Sequence, residues 1–355
     1  MEKCYINGIG CVSAQKTFGA GFLDEVEINT TDNVLSAVNP DYKAFISPGA
    51  IRRMAKGVKM GISASQFALD DAGIAMPDAV ITGTGMGCIQ DSEKFLKAII
   101  NNKEEFLTPT SFIQSTHNTV GAQIALNMQC KGYNFTYVNG AVSLESALLD
   151  SKMQIESGEA KTILAGGVDE TSEHTISLYK LIDLIKDSTD APYDVLNPKS
   201  KGVVLGEGAG FFVLENKKTA NTYAVFEDIQ MRNTLSESEV KPFITDFLNS
   251  NHLSLSEIDA IVLGNNGDSG FDHYYREATS LFSETPQLYY KHLSGEFYTA
   301  STFGIWAAVQ VLKQQQIPKV LQINKITKQQ YKSVLLYNQY RGKDHSLILL
   351  KHVDV

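Results

Sequence analysis

Short apolar runs alternate with stretches of helical character along most of the chain. The runs are rich in β-branched residues and end in Gly or Asn, which is typical of buried strands. Such an alternation indicates strands packed between layers of helices, so the predicted fold class is α/β. Strands are predicted at 4–9, 79–84, 135–138, 162–165, 210–214, 260–264, 319–323 and 346–350, and helices at 52–72, 143–156, 239–249 and 300–314.

Two segments of the chain resemble each other. Residues 67–87 read FALDDAGIAMPDAVITGTGMG, and residues 247–267 read FLNSNHLSLSEIDAIVLGNNG. Each has a helix end, a polar turn, the frame Asp-Ala followed by two β-branched residues, and a Gly-rich strand exit. The match indicates either a duplicated fold or two unrelated helix–strand units, since short pattern matches recur in α/β proteins. In a duplicated fold both Gly-rich exits lie at one cleft.

Composition narrows the class of protein. The 355 residues are 43% apolar and 20% charged, and the net charge of −9 argues against nucleic-acid binding. No apolar run approaches the roughly 20 residues that span a bilayer, and the first ten residues lack the apolar core of a signal peptide. Four cysteines show neither CxxC nor metal-type spacing, so we expect reduced thiols in a cytoplasmic protein. No pattern indicates a metal or another cofactor.

One short segment has the form of a mount for a nucleophile. Residues 135–151, FTYVNGAVSLESALLDS, read as a strand, a sharp Asn-Gly bend and a helix. Folds often hold a nucleophile at such an elbow. At the bend, however, this chain has Asn139, Gly140 and Ala141, which carry no nucleophilic atom.

Several segments together resemble the β-ketoacyl synthases of the thiolase-like superfamily, the condensing enzymes of fatty-acid and polyketide synthesis. The resemblance is strong to about residue 215 and weaker beyond. It implies a thiolase-like fold of two duplicated α/β halves in five αβαβα layers, with an N-terminal half at 1–215 and a shortened C-terminal half at 216–355. The segments that carry it are YINGIGCVSA (5–14), IRRMAKGVKMGISASQFALDDAGI (51–74), GTGMG (83–87), the stretch 132–170 around the elbow, and GVVLGEGAGFFVLE (202–215).

The resemblance also locates the family's catalytic positions. Such enzymes use a Cys thiolate at a helix N-terminus to hold the acyl chain, and two His residues to support decarboxylation and stabilise the enolate. Counting from Gly-rich anchors on both sides puts the Cys position at Ala141. The two His positions fall on Asn266 and Glu296, while the Lys that precedes the second His is retained as Lys291. All three catalytic groups are replaced, so we expect an inactive site.

Ser143, Cys88 and His292 are weak candidates to replace the missing catalytic groups. Ser143 follows the elbow but has no base positioned by sequence, so a packing role is the favoured interpretation. Cys88 follows a Gly-rich exit without a His partner, and a buried thiol is favoured there. His292 misses the second His position, and the other histidines form no metal spacing with one another.

The family includes inactive members, the chain-length factors, each of which pairs with an active ketosynthase. By this resemblance the dimer interface includes the strand Asn134, Phe135, Thr136, Tyr137 and Val138. The inert subunit helps to shape the pocket for the growing acyl chain, and Phe112, Ile113, Thr116 and Tyr340 are the expected lining. Arg52, Lys56 and Lys59 fall at helical spacing, and with Arg53 they are expected to dock the acidic acyl carrier protein. A plain solvated face remains the alternative for these cations.

Three functions remain open on the sequence. The first is a non-catalytic chain-length-type subunit in fatty-acid or polyketide synthesis, including aryl-polyene-type pigments. The second is a divergent acyltransferase that uses unconventional residues. The third is a stand-alone acyl-binding scaffold. A co-purifying ketosynthase favours the first, turnover of acyl thioesters by the isolated chain favours the second, and acyl binding without turnover favours the third.

Overall fold

A computed structural model describes residues 2–19 and 21–353. Its ten strands form one sheet in the order β3-β2-β4-β5-β1-β6-β10-β9-β7-β8. The strands are β1 Tyr5–Val12, β2 Ala79–Gly83, β3 Tyr133–Tyr137, β4 Thr162–Asp169, β5 Gly208–Glu215, β6 Ala224–Asn233, β7 Ala260–Leu263, β8 Gln287–Tyr289, β9 Ser333–Tyr340 and β10 Asp344–Lys351. The helices are α1 Pro48–Ile51, α2 Lys56–Ala72, α3 Ile89–Asn101, α4 Pro109–Ser115, α5 Thr119–Met128, α6 Ser143–Ser157, α7 Glu173–Leu181, α8 Val240–Ser250, α9 Asp272–Leu281, α10 Lys291–Ser294 and α11 Ser301–Gln314.

The strand order reveals a duplication. The first half-sheet runs β3-β2-β4-β5-β1, and the second, read inward from its own edge, runs β8-β7-β9-β10-β6. Parallel and antiparallel pairs also correspond, since β2 pairs with β3 and β4 as β7 pairs with β8 and β9. The similar segments found in the sequence are therefore the end of α2 with β2 and the end of α8 with β7. The duplicated fold is confirmed.

Side chains on the two faces of each strand enter different cores. In β4, for example, Ile163 and Ala165 face a central core that also contains α6 and α11. Leu164 and Val168 face an outer core with α2 and α5. Strands β7, β9 and β10 alternate in the same way between the central core and a second outer core that contains α8 and α9. This alternation gives the five predicted αβαβα layers.

Some predicted elements need correction. The strand predicted at 319–323 is wrong, because Pro318 accepts a hydrogen bond from Leu321 N in a short 3-10 turn. Only Gln322 forms a bridge there, to Leu288 of β8. The helix predicted at 52–72 begins at Lys56, after the separate turn of α1. The proposed boundary after residue 215 lies at the end of β5, and the division of the chain into halves at that residue stays a prediction.

Candidate functional site

The elbow is built as the sequence predicts. Strand β3 ends at Tyr137, a 3-10 turn spans Gly140–Val142, and α6 begins at Ser143. The Ser143 hydroxyl donates to Gly140 O at 2.7 Å and accepts from Asn139 N at 2.8 Å. Ser143 therefore ties the bend together, in agreement with its packing interpretation.

Backbone geometry puts the apex of the elbow one residue before the counted position. Gly140 has a left-handed φ of 54°, whereas Ala141 lies buried behind it within the 3-10 turn. A nucleophile elbow holds its reactive residue at the strained position, which here is Gly140. A Cβ at Gly140 would meet Asp344 Oδ2 at 3.3 Å. Gly140 and Ala141 both lack a nucleophilic side chain, and the expected loss of catalysis stays a prediction.

The structure brings the two predicted His positions together. Asn266 follows β7, and Glu296 follows α10; Asn266 Nδ2 donates to Glu296 Oε2 at 2.7 Å. Lys291 Nζ binds the same oxygen at 2.7 Å and also donates to Asn338 Oδ1 at 2.8 Å. Both side chains of the Lys291–Glu296 pair are almost fully buried. The negative charge that the sequence places at Glu296 is thus neutralised by a lysine within the site.

A second buried carboxyl lies near this pair. Glu145, in the first turn of α6, accepts hydrogen bonds at Oε1 from Ser301 Oγ at 2.8 Å and Ser346 Oγ at 3.2 Å. Its Oε2 has no hydrogen-bond partner among residues 2–19 and 21–353. Burial raises the pKa of Glu145 to about 7, against the opposing effect of the two serines and the Lys291 ammonium. The interior of the site thus contains one lysine and two carboxyl groups.

The Gly-rich exit of β2 is fixed by one buried carboxylate. Asp169 Oδ1 accepts from Thr84 Oγ1, Gly85 N and Met86 N at 2.9–3.0 Å. Its Oδ2 accepts from Thr299 N at 3.0 Å and Thr299 Oγ1 at 2.9 Å. Five donors on two segments therefore converge on a single side chain, which links the loops of the two halves.

A small apolar cavity of about 50 Å³ lies in front of these loops. Ligand pockets usually have volumes of about 300–1,000 Å³, so this cavity is too small for an acyl chain. Glu296, Tyr340, Tyr298 and Tyr179 are among its lining residues. Gly140 and Ala141 are absent from the lining described for residues 2–19 and 21–353.

Three tyrosines line the cavity. The rings of Tyr298 and Tyr340 lie 5.4 Å apart, and the Tyr179 hydroxyl donates to Met86 Sδ at 3.9 Å. Burial raises the pKa of Tyr179 and of Tyr340, so both are neutral phenols near pH 7. Tyr298 packs directly over Gly85, where an added Cβ would lie 2.2 Å from its ring. Tyr340, which was expected to line an acyl pocket, packs against Tyr298 and lines this small cavity.

The other expected pocket residues do not join Tyr340. Phe112 and Ile113 on α4 are 54% and 55% exposed, and Thr116 is exposed at the end of that helix. They face outward from this chain. A role in lining an acyl pocket therefore requires a second subunit, and it stays a prediction.

The predicted interface strand lies at an edge. Strand β3 is the outermost strand of the first half-sheet, with β2 on its inner side. Phe135 and Val138 are exposed, whereas Tyr137 packs partly against the central core. The Phe135 ring lies 6.0 Å from Tyr133 and 4.9 Å from Tyr137, which makes an aromatic row along the edge. Asn134 and Thr136 point inward instead and bond to Gly121 O and Thr82 Oγ1.

The predicted basic helix face needs correction. Arg52 and Arg53 are exposed in the turn before α2, so they do not continue the helical spacing of Lys56 and Lys59. Lys56 forms an ion pair with the fully buried Glu207, and Lys59 lies 5.7 Å from the Tyr42 ring. Arg52 and Arg53 remain the exposed cations of this group.

Sequence reasoning missed several residues of the site. Tyr298 lies two residues after Glu296, and Asp169 is the last residue of β4, two residues after the Gly-Gly pair of that strand, so proximity along the chain was an available signal. Asn338 and Glu145 reach the site through tertiary packing alone. Among the described residues, no His, Cys, Asp and Glu group could hold a metal, and no helix could cross a membrane.

A family model described as β-ketoacyl synthase, N-terminal domain, matches residues 29–220. The 3-oxoacyl-[acyl-carrier-protein] synthase 2 of Synechocystis sp. is 23% identical over 190 residues, or 51% of this chain and 46% of that protein. The enzyme of the same description from Coxiella burnetii is 21% identical over 267 residues, or 65% of this chain and 64% of that protein. The chain spans about half the length of the first of these curated relatives.

Solved structures match nearly the whole chain. A β-ketoacyl synthase from Burkholderia phymatum has a TM-score of 0.82 at 17% identity and covers 100% of both chains. The ishigamide ketosynthase/chain length factor has a TM-score of 0.78 at 18% identity, covering 99% of this chain and 100% of that one. A ketosynthase (ApeO) in complex with its chain length factor (ApeC) from Xenorhabdus doucetiae has a TM-score of 0.76 at 14% identity, covering 99% and 98%. At these identities the structural likeness establishes the fold.

Proposed function

Because the chain belongs to the β-ketoacyl synthase family, we propose that it is a non-catalytic, chain-length-factor-type subunit that pairs with an active ketosynthase. The pair makes fatty-acid or polyketide chains, with aryl-polyene-type products as one class. The observation that carries this proposal is the pair of hydrogen bonds that Lys291 and Asn266 donate to Glu296, where the family has its His pair.

The bonding of these groups argues against catalysis by the isolated chain. Lys291 and Asn266 both donate to one carboxylate oxygen, so neither is aimed at a substrate oxygen. The elbow supplies no thiolate or hydroxyl for acyl transfer, since Ser143 is bonded within the bend. A developing enolate beside this site would meet no free cationic donor from these residues.

The small volume of this cavity supports action on a partner rather than on an acyl chain bound in this subunit. Tyr298 and Tyr340 restrict the internal space to about 50 Å³, too little for a growing chain. Phe112 and Ile113 are exposed on the outer surface instead, where a second subunit can receive them. In this arrangement their bulk limits the depth of the partner's acyl pocket.

The edge strand supports pairing. An open edge with exposed aromatic side chains is a liability for a protein that remains alone, and docking against another edge removes it. A ketosynthase of the same fold presents an equivalent edge, so the two subunits form a pseudo-symmetric dimer.

Co-expression tests the proposal. We expect a one-to-one complex with a ketosynthase encoded nearby, measured by native mass spectrometry, and loss of that complex in Phe135→Asp. Phe135 is preferred to Tyr137 because Tyr137 also contacts the central core. Leu181→Asp, at an exposed site on α7, is the matched control. Full ketosynthase activity with unchanged product length in the absence of this chain contradicts the proposal, as does condensation by the purified chain alone.

The carrier protein docks partly on this subunit in the proposed complex. Arg52 and Arg53 are exposed and flank α2, whereas Lys56 is engaged with Glu207. Reversing Arg52 and Arg53 to Glu is expected to weaken carrier binding a few-fold and to flatten its salt dependence. Equal affinities of both proteins across a salt titration contradict a docking role.

A further inference from the structure

Two lysines are buried within the described part of the chain, and only one of them has a counter-ion. Lys186 and Lys291 are each 2% exposed. Lys291 forms an ion pair with Glu296, whereas Lys186 forms no ion pair with a carboxylate in residues 2–19 and 21–353. Lysines are almost never fully buried unless they are paired, because taking an ammonium group out of water is costly. Lys186 is therefore a buried cation that lacks a counter-ion.

The amine of Lys186 finds its hydrogen-bond partners on a single residue. Nζ donates to Ser200 O and to Ser200 Oγ, both at 3.2 Å. A lysine ammonium has three donors, so one of them has no acceptor among the described residues. Asp268 and Asp190 attract the amine from beyond ion-pair distance, but they do not offset burial, which lowers the pKa of Lys186. A carboxylate in direct contact with Nζ would stabilise the charged form.

Lys186 lines a cavity of about 340 Å³. This volume lies within the usual range of ligand sites, about 300–1,000 Å³. The lining also includes the buried Ile185 and the half-buried Ser200 and Asn33. None of the residues that line this cavity also lines the small apolar cavity beside Glu296, so the two cavities are distinct.

The exposed part of the lining has the opposite charge to the buried part. Its residues, here called the rim, are Lys180, Asp183, Asp187, Ser188, Asp190 and Lys201. Three carboxylates and two ammonium groups give the rim a net negative charge, whereas Lys186 makes the buried part positive. Asp187 is also engaged in its own turn, where it accepts from Thr189 N at 2.8 Å and from Thr189 Oγ1 at 2.7 Å. Asp183 and Asp190 are the other two acidic groups of the rim.

We infer that this cavity binds a small zwitterion, whose carboxylate lies against Lys186 and whose ammonium group lies among the rim aspartates. The carboxylate supplies the counter-ion that Lys186 lacks and accepts its remaining N–H. The ammonium group balances the negative rim, which a simple anion does not. Because Lys186 is buried and the aspartates are exposed, the two charges of the ligand have to be separated by several carbon atoms, as in an ω-amino acid. This inference is independent of the proposed function.

Three ligands with the same carbon chain test the inference on the isolated protein. The zwitterion 4-aminobutyrate carries both charges, butanoate carries only the carboxylate, and butylamine carries only the ammonium group. Ligand-observed NMR titrations give the dissociation constants. We expect 4-aminobutyrate to bind a few-fold more tightly than butanoate, as for an exposed ion pair at the rim, and butylamine to bind most weakly. Butanoate binding as tightly as 4-aminobutyrate overturns the zwitterion, and no saturable binding of any of the ligands overturns the site.

Lys186→Met removes the buried cation. We expect it to weaken the binding of 4-aminobutyrate on the order of 30-fold, because the carboxylate loses its partner. Lys131→Met, at an exposed lysine outside the cavity, is the matched control and is expected to bind like the wild type. Since Lys186→Met replaces an unpaired buried charge with an apolar side chain, Tm without ligand is not expected to fall. Added 4-aminobutyrate is expected to raise Tm in the wild type only. Wild-type affinity in Lys186→Met contradicts the inference.

A double variant, Asp183→Asn with Asp190→Asn, tests the rim while Lys186 stays in place. Asp183 has a left-handed φ of 54°, which Asn also adopts readily, so the backbone is expected to be kept. We expect the double variant to lose the preference for 4-aminobutyrate over butanoate, and to bind butanoate at least as tightly as the wild type does. A preference that is unchanged, or an equal weakening of both ligands, shows that the rim aspartates do not hold an ammonium group and overturns the inference.

Discussion

The Gly-rich exits of β2 and β7 occupy equivalent places in the two halves, yet they are stabilised differently. At the β2 exit, Asp169 accepts three backbone N–H groups, from Gly85, Met86 and Thr299. At the β7 exit, side chains supply most of the contacts, with Asn266 and Lys291 both bonded to Glu296. One exit is held by its backbone and the other by a buried ion pair.

The difference shows two ways in which a buried loop is stabilised. A loop held through backbone groups keeps its shape whatever its side chains do, so long as the one acceptor remains. A loop that presents catalytic side chains has to satisfy those buried groups again once they change. Here Lys291 and Asn266 both donate to Glu296, so these buried polar groups have partners within the core.

The largest effect is expected when the lysine that stabilises the β7 exit is removed. Lys291→Met leaves Glu296 buried without its cation, and we expect the free energy of unfolding to fall by about 3–5 kcal/mol. Urea denaturation measures the loss. Adding Glu296→Gln to Lys291→Met is expected to restore most of it, because the unpaired charge is gone. A double variant as unstable as the single one shows that the ion pair is not what holds the loop.

We expect the substitution Asp169→Asn to destabilise the β2 exit. The substitution turns one acceptor oxygen into an amide nitrogen, which leaves part of the five-donor set unsatisfied. We expect a loss of about 2 kcal/mol in the free energy of unfolding. The same urea measurement applies, and hydrogen exchange at Gly85 and Met86 should rise. Unchanged exchange at these amides contradicts a backbone-held exit.

Glu145 is expected to make the free energy of unfolding depend on pH, which tests the comparison between the two exits further. Its folded-state pKa is raised to about 7 from an ordinary value of 4.5, so the folded protein binds more protons between these values. Stability is therefore expected to fall as pH rises from about 4.5 to about 7 and to level off above. Glu145→Gln should flatten this slope and add on the order of 1–3 kcal/mol at pH 8. Glu170, also raised to about 7, contributes a similar slope that remains in the variant as an internal reference.

The smallest expected effect is at Asn266. Asn266→Ala removes one hydrogen bond to Glu296 while Lys291 still neutralises the carboxylate. We expect a loss of about 1 kcal/mol in the free energy of unfolding. A loss as large as that of Lys291→Met would mean that the amide, rather than the ion pair, dominates the β7 exit.

Sequence reasoning identified the fold because apolar runs and Gly-rich exits are local patterns. The strand at 79–84 and the helix at 143–156 can be identified from adjacent residues, and they match β2 and α6 closely. Counting also placed Asn266 and Glu296, which the structure brings together. The count at Ala141 stands one residue past the strained Gly140, since a φ angle leaves no trace in the order of residues.

Contacts between segments that are far apart in the sequence could not be predicted from the sequence. The partner of Lys56 is Glu207, 151 residues later, so a cation expected at a docking surface is also engaged in an ion pair with a buried carboxylate. Tyr298 packs on Gly85, which lies more than half the chain length away in sequence, and the cavity beside it is smaller than the expected pocket. Both outcomes depend on how the two halves meet, which no local pattern encodes.

The two half-sheets meet along a short seam. Strands β1 and β6 pair at only two positions, Tyr5 with Val225 and Ile6 with Ala224. Helices α6 and α11, by contrast, contribute to the central core together with strands from both half-sheets. Cooperativity therefore passes through the shared helical layer rather than through the strand ladder. A chain with the symmetry of two units is expected to unfold as one, because neither half retains its inner face when the other opens.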